Sequence, residues 1–209
     1  MKDTIVPAAC RLLEADTPFV IATIVTREGS APRTAGTKML VSQEGCTGTI
    51  GGGFLEAKAE KKALALLEEE GAARLMHFDL TREDTTAMDM ICGGKGSVLL
   101  DPIAVSQENR ALFQQWRELQ DNRKPGWFLT LLEGGSVDGA IEKVTHGVVS
   151  AREETCAGSP LSQEAWEAAA GEARRATEMA VLQIDGAQAV VEPALVPTTV
   201  YFFGAGHVA

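Results

Sequence analysis

Three consecutive glycines, Gly51, Gly52 and Gly53, separate a short β-forming stretch from a segment with helical periodicity. Glycine adopts backbone conformations that other residues avoid, and a helix N-terminus offers unpaired N–H groups and the positive end of the helix dipole. The pattern therefore suits a phosphate-binding turn made of backbone. A tight turn that binds nothing explains the glycines equally well. Glu56 is favourable for the helix dipole in either case.

Two basic residues precede this turn. Arg33 lies in the loop spanning residues 28–36, and a guanidinium binds phosphate or carboxylate through two parallel hydrogen bonds. Lys38 follows on a predicted strand and adds a second donor. If the loop folds over the glycines, Arg33 and Lys38 complete an anion pocket, whereas most arginines in loops are simply solvated.

Cys92 is the cysteine best placed to react, because Gly93, Gly94 and Lys95 follow it directly. Backbone amides and a nearby positive charge lower the pKa of a thiol. A thiolate can bind a soft metal or carry a persulfide sulfur. Cys92 is therefore the candidate catalytic residue and metal ligand, with Gly93 and Gly94 as cofactor contacts. The alternative is a buried, inert thiol.

The remaining cysteines and the histidines give weaker signals. We expect Cys10 in the core and Cys46 and Cys156 in exposed turns or loops, and no CxxC pair suggests a zinc module or a disulfide scaffold. A Cys/His hydrolase is disfavoured, because His77 and His146 fall within predicted strands and no third group that would orient them is apparent.

The last ten residues, VYFFGAGHVA, read as a strand running into a GxGxxA turn that contains Gly204 and Gly206. A dinucleotide fingerprint also needs the following helix and an acidic residue about 20 positions on. We therefore expect residues 199–209 to be the truncated start of a Rossmann domain, with NAD(P) bound only if the missing half is present.

The elements that must position these residues alternate between helices and strands. The fold class is predicted as α/β with α+β character, a mixed sheet flanked by helices in residues 1–193, with residues 194–198 as a linker because Pro193 and Pro197 favour an extended connector. No internal repeat is evident. Helices are predicted at 3–15, 54–70, 107–121 and 159–179, and strands at 19–26, 38–41, 49–50, 74–80, 97–102, 127–132, 142–149, 181–184 and 188–192.

Charge and hydropathy limit the classes of partner that this chain is expected to bind. The chain has 19 basic and 29 acidic residues, a formal charge of −10, which argues against sequence-independent binding to nucleic acid or anionic lipid. The longest apolar run, at 19–25, is far shorter than the roughly 20 residues that span a bilayer, and no signal peptide is evident. We expect a cytoplasmic protein with no nucleic-acid or membrane partner.

The order of the motifs is more specific than any single motif. GSAPRTAGTKMLV at 29–41, GTIGGGFLE at 48–56, MICGG at 90–94 and FFGAGHVA at 202–209 together resemble the XdhC/CoxI family of xanthine dehydrogenase and carbon monoxide dehydrogenase accessory proteins. The resemblance spans essentially the whole chain. Some relatives carry a cysteine within the glycine run, where this chain has Phe54.

The resemblance implies an N-terminal α/β domain and a C-terminal Rossmann domain in a protein that binds molybdenum cofactor, supports its sulfuration and delivers it to a molybdenum hydroxylase. It implies that the molybdopterin phosphate lies at Gly51, Gly52 and Gly53 near Arg33, and that Cys92 ligates molybdenum or donates sulfur. The expected role is that of a chaperone without substrate turnover. The implied partners are the apo hydroxylase and a cysteine desulfurase, and homodimerisation stays open.

Two other classes of function remain open. Gly204 and Gly206 suggest a fragment of an NAD(P)-dependent oxidoreductase, which predicts nicotinamide binding. The chain can alternatively be interpreted as a cofactor-free docking module for the hydroxylase, which predicts capture of that enzyme in the absence of cofactor.

Overall fold

The computed structural model describes residues 5–29, 34–79, 94–135, 139–150, 154–157, 160, 162–184 and 186–194. Helices and strands alternate within them, which confirms the α/β class with α+β character. The elements are α1 (Ile5–Glu14), β1 (Phe19–Gly29), β2 (Lys38–Ser42), β3 (Gly45–Gly48), α2 (Gly53–Glu68), β4 (Arg74–Asp79), β5 (Gly94–Ile103), α3 (Gln107–Asp121), β6 (Gly126–Gly135), β7 (Ile141–Ser150), β8 (Glu154–Ala157), α4 (Gln163–Ala173), β9 (Ala180–Ile184) and β10 (Ala187–Pro193).

The described strands form two five-stranded sheets in which every described pairing is antiparallel. The first sheet has the order β3-β2-β1-β5-β4, and the second has the order β8-β7-β6-β10-β9. The single mixed sheet expected from the sequence is thus replaced by two antiparallel ones. The reason is that most neighbours in each sheet follow one another directly along the chain, which favours antiparallel pairing.

The two sheets belong to two copies of one topology. The order α-β-β-β-α-β-β occurs in residues 5–103 and again in residues 107–193. Strand register repeats as well: Thr23 pairs with Lys38 as Thr130 pairs with His146, and Ile21 pairs with Asp101 as Phe128 pairs with Glu192. No repeat is evident in the sequence, because topology and register recur while the residues themselves differ.

Four apolar clusters hold these layers together. Helix α2 packs on the outer face of the first sheet, and α4 packs on the outer face of the second. Helices α1 and α3 lie between the sheets at one end of the molecule, and at the other end the sheets contact each other directly. Among the described residues, no helix has both the length and the apolar character needed to cross a bilayer.

The predicted elements differ from the structure at edge strands and at the ends of α4. Residues 43–48, predicted as a turn, contain β3, and residues 49–50 are not a strand. Cys156, predicted in a loop, lies on β8. Both missed strands are four residues long with a single β-branched residue each, and pairing with a longer neighbour stabilises them. Helix α4 begins at Gln163, because Ser162 and not Ser159 caps it.

Candidate functional site

The turn that leads into α2 is accessible. Gly51 and Gly52 are half-buried, and Gly53 is exposed. Gly52 and Gly53 have φ angles of 75° and 60°, and a Cβ atom added to either would meet nothing within 4 Å. Backbone conformation rather than packing therefore requires glycine at these two positions, and the space beside them is open to a ligand.

Glu56 occupies donors of this turn. Its Oε2 atom accepts hydrogen bonds from the Thr49 hydroxyl, from the Ile50 amide at 3.1 Å and from the Gly52 amide at 2.9 Å. Desolvation opposes the charged form, but the hydrogen bonds from Thr49, Gly52 and Ile50 together outweigh it and lower the pKa of Glu56. The turn therefore already holds an anion supplied by its own helix.

Lys38 lies apart from the glycine turn. Its Nζ atom is 2.8 Å from Thr23 Oγ1 and 2.8 Å from Glu192 Oε1. Met39, the next residue on β2, packs on the α2 side, so Lys38 points into the layer between the sheets. The structure thus joins Lys38 to the second half of the molecule and does not bring its ammonium together with the turn.

The segments that carry Arg33 and Cys92 leave the first sheet where β1 ends and β5 begins. Gly94 begins β5 and pairs with Gly29 at the end of β1. The end of β3 points the same way but lies roughly 20 Å short of that point, because Gly48 is level with Leu100, six residues beyond Gly94 on β5. Arg33, Cys92 and Gly93 themselves lie outside the described residues, so their roles stay predictions.

Lys95, the second residue of β5, forms an ion pair. Its Nζ atom is 2.9 Å from Asp79 Oδ2, and the hydrogen bond and charge of Asp79 raise the pKa of Lys95. The carboxylate offsets part of the positive charge that was expected to favour a Cys92 thiolate. The glycines of the C-terminal turn, Gly204 and Gly206, are also outside the described residues.

The described cysteine side chains are poor nucleophiles. Cys10 is buried, as predicted, and burial raises the pKa of its thiol. Cys46 is exposed, as predicted, but it lies on β3, where desolvation, followed by the hydrogen bond to Glu60, raises its pKa to about 11. Within the described ranges, no group of three or more His, Cys, Asp and Glu side chains is arranged to hold a metal ion.

One polar pair was missed in the sequence. His146 Nε2 lies 2.7 Å from Asp101 Oδ2, and both side chains are more than nine-tenths buried. The sequence offered no group to orient His146, because Asp101 lies 45 residues away in the chain. An acid within the apolar run of β5 was the available signal. The pair lines a cavity of about 290 Å³.

Parts of this chain are similar to a known protein family and to known proteins. The XdhC and CoxI family model matches residues 12–79. A protein named Uncharacterized protein YqeB from Escherichia coli is 40% identical over 93 residues, which are 44% of this chain and 17% of that protein. A protein from Bacillus subtilis, named as a probable subunit of xanthine dehydrogenase, is 32% identical over 108 residues, 51% of this chain and 32% of that protein.

The fold has a counterpart among solved structures. A crystal structure of a xanthine dehydrogenase from Bacillus halodurans superposes with a TM-score of 0.61 and 24% identity, covering 88% of this chain and 52% of that chain. At this identity the likeness shows the fold alone. The chain spans from 17% to about half of the length of these relatives.

Proposed function

We propose that this chain, whose residues 12–79 match the XdhC and CoxI family model, belongs to that family and assists the maturation of a xanthine dehydrogenase-type enzyme. The family match carries the proposal, because it includes the loop of Arg33 and the glycine turn and ends at Asp79, shortly before the segment of Cys92. In the finer form of the proposal, the chain binds molybdenum cofactor in the cytoplasm, supports its sulfuration and hands it to the apo hydroxylase.

The turn suits the phosphate of the cofactor, provided that the phosphate can bind beside Glu56 or displace it. Gly53 is exposed beside open space at the N-terminus of a 16-residue helix, which favours an anion. The amides of Ile50 and Gly52, however, already bind Glu56. A phosphate therefore binds beside this carboxylate or displaces it, and this competition would make the bound cofactor easier to release.

The thiol and the guanidinium complete the proposed site. Arg33 would pair with the phosphate, and Cys92 would hold the molybdenum centre or carry the sulfur, supplied by a cysteine desulfurase, in persulfide form. The cofactor itself supplies the metal chemistry of the hydroxylase. The role of this chain is to bind, shield and release the cofactor. A homodimer would be compatible with that role.

Titration of the purified chain with molybdenum cofactor tests the proposal. We expect Cys92→Ser and Arg33→Ala each to weaken binding about tenfold or more, because each removes a charged or ligating contact. Cys46→Ser and Arg175→Ala are the matched controls, since the raised pKa of Cys46 keeps its thiol protonated and Arg175 is an exposed residue that pairs with Glu172 of α4. Unchanged affinity in both site variants would reject this site.

A further inference from the structure

Helix α2 presents a second face on the side away from the first sheet. Its sheet side is buried through Leu55, Ala59, Ala63 and Leu66. The opposite side forms a shallow groove lined by Ala57, Glu60, Lys61, Leu64, Ala65 and Glu68. Lys61 and Glu68 are exposed and lie two helical turns apart, with the half-buried Leu64 and Ala65 between them. Within the part of the chain that the structure describes, an apolar centre with one charge of each sign at its ends is therefore accessible.

Lys61 and Glu68 have no counter-charge on their own helix. Ion pairs within a helix form between residues three or four positions apart. No acid stands at these distances from Lys61, and no base stands at them from Glu68. Neither side chain forms an ion pair with another of the described residues. Both charges are therefore available to a neighbouring molecule.

The charges of α2 run against its helix dipole. Its lysines lie in the N-terminal part, at 58, 61 and 62, and consecutive glutamates at 68–70 lie at its C-terminal end, with no basic residue in the last turn. Acids are favourable near a helix N-terminus and bases near a C-terminus. Glu56 and Glu60, the acids of the N-terminal part, are engaged with the glycine turn and with Cys46. This distribution suits an antiparallel neighbouring helix, whose basic part would lie beside the acidic end of α2.

A second copy of α2 supplies such a neighbour. In an antiparallel pair with a two-fold axis between Leu64 and Ala65, Lys61 of each copy is level with Glu68 of the other. Leu64 is then level with Ala65, whose small side chain lets the two helices approach closely. Two reciprocal ion pairs thus flank an apolar centre. Gly53 lies roughly 17 Å from the axis at 1.5 Å per residue, so the glycine turn stays outside this contact.

We propose that α2 pairs with α2 of a second copy of this chain in an antiparallel, two-fold symmetric contact. Lys61 pairs with Glu68 across the contact twice, and these exposed charges determine register and direction more than strength. Two single helices bury less than the roughly 1,200 Å² of a standard interface, so the dimer is weak and reversible, with a dissociation constant on the order of 10–500 µM. The contact is independent of cofactor binding at the glycine turn.

Sedimentation equilibrium of the purified chain from about 10 µM to about 1 mM tests the proposal. We expect a reversible monomer–dimer equilibrium that weakens as the salt concentration rises. Lys61→Glu and Glu68→Lys each turn two attractive contacts into two repulsive ones, so each should weaken dimerisation about tenfold or more. Lys124→Glu and Glu118→Lys make the same charge changes near the end of α3, on the other side of the first sheet, and should alter the dissociation constant less than about twofold.

An equimolar mixture of the Lys61→Glu and Glu68→Lys chains gives the sharpest test. In the mixed dimer each ion pair again joins opposite charges, so the mixture should dimerise about as tightly as the unaltered chain. Such rescue would also show that both variants are folded. A chain that stays monomeric at about 1 mM, or a dimer that neither substitution weakens, would overturn the proposal. So would a mixture that associates no more tightly than either variant alone.

Discussion

At the residue scale, Glu56 determines the electrostatics of the glycine turn. A carboxylate that accepts two backbone N–H bonds and a hydroxyl bond stabilises both the start of α2 and the preceding loop. The same carboxylate repels an incoming anion. Glu56 therefore links the stability of this turn to its capacity for phosphate.

Glu56→Gln should lower the free energy of unfolding by about 1–2 kcal/mol at neutral pH, because it removes a charged acceptor from three donors. The folded-state pKa is lowered, so the stabilising contribution is present above the ordinary value of 4.5 and is lost as pH falls through the folded-state value. Urea unfolding at about pH 7 and at about pH 3 measures the difference, which should shrink in acid. Glu69→Gln is the control and should change stability by less than about 0.5 kcal/mol. A pH-independent difference would contradict this account.

Cys46 should react slowly with alkylating reagents. With a pKa of about 11, on the order of one thiol in a thousand is ionised at about pH 8. Glu60→Gln removes the negative charge beside the thiol, so it should speed alkylation of Cys46, measured by mass spectrometry of labelled peptides. Cys10 provides the buried reference. Rapid labelling of Cys46 in the unaltered chain would show that Glu60 does not keep the Cys46 thiol protonated.

At the element scale, α2 ends in a strained residue. Glu70 adopts φ 50°, and the Gly71 amide bonds the Leu66 carbonyl at 2.9 Å, as in a Schellman motif. The left-handed residue is thus this glutamate and not the glycine that follows it. Helices α1 and α3 end in the same manner at Asp16 and Arg123.

Glu70→Gly should therefore raise the free energy of unfolding by about 0.5–1 kcal/mol, because glycine adopts positive φ without steric cost. Glu69→Gly is a matched control one residue earlier. Glu69 has φ −89° and ψ −3°, and glycine there should destabilise the chain by about 0.5–1 kcal/mol. Chemical denaturation of the two variants gives the comparison, and stabilisation by both would contradict the conformational argument.

Elements whose own residues carry a capping or periodicity pattern could be predicted from sequence. Elements that form only by pairing with a neighbouring strand could not. Helix α3 begins and ends where predicted, because Ser106 caps it and its apolar residues recur at helical spacing. Strand β3 was missed, because its sequence GCTG has little strand propensity and its partner β2 holds it. The Asp101–His146 pair was missed for a related reason: it depends on how two halves pack.

At the scale of the whole molecule, two polar pairs join the halves across an apolar layer. Their reciprocal placement, acid of β5 to base of β7 and acid of β10 to base of β2, indicates an approximate two-fold relation between the copies. Such pairs contribute little net stability when intact, but breaking one leaves a buried charge uncompensated. They therefore specify how the halves align.

A double-mutant cycle tests this alignment. Asp101→Asn and His146→Gln should show a coupling of about 1–3 kcal/mol, because the two groups contact each other. Asp101→Asn combined with Lys38→Met should be additive within about 0.5 kcal/mol, since these residues belong to different pairs. Urea denaturation of the single and double variants gives both numbers. Strong coupling between Asp101 and Lys38 would show that the pairs are not separate contacts.

The central claim is that the cofactor binds at the glycine turn where α2 begins. Amide hydrogen exchange of the chain with and without molybdenum cofactor tests it most directly, with the positive-φ glycine of the β9–β10 connection, Gly186, as internal control. The account predicts slower exchange at Gly51–Gly53 and an unchanged rate at Gly186. Saturable cofactor binding that leaves exchange at Gly51–Gly53 unaltered would contradict it.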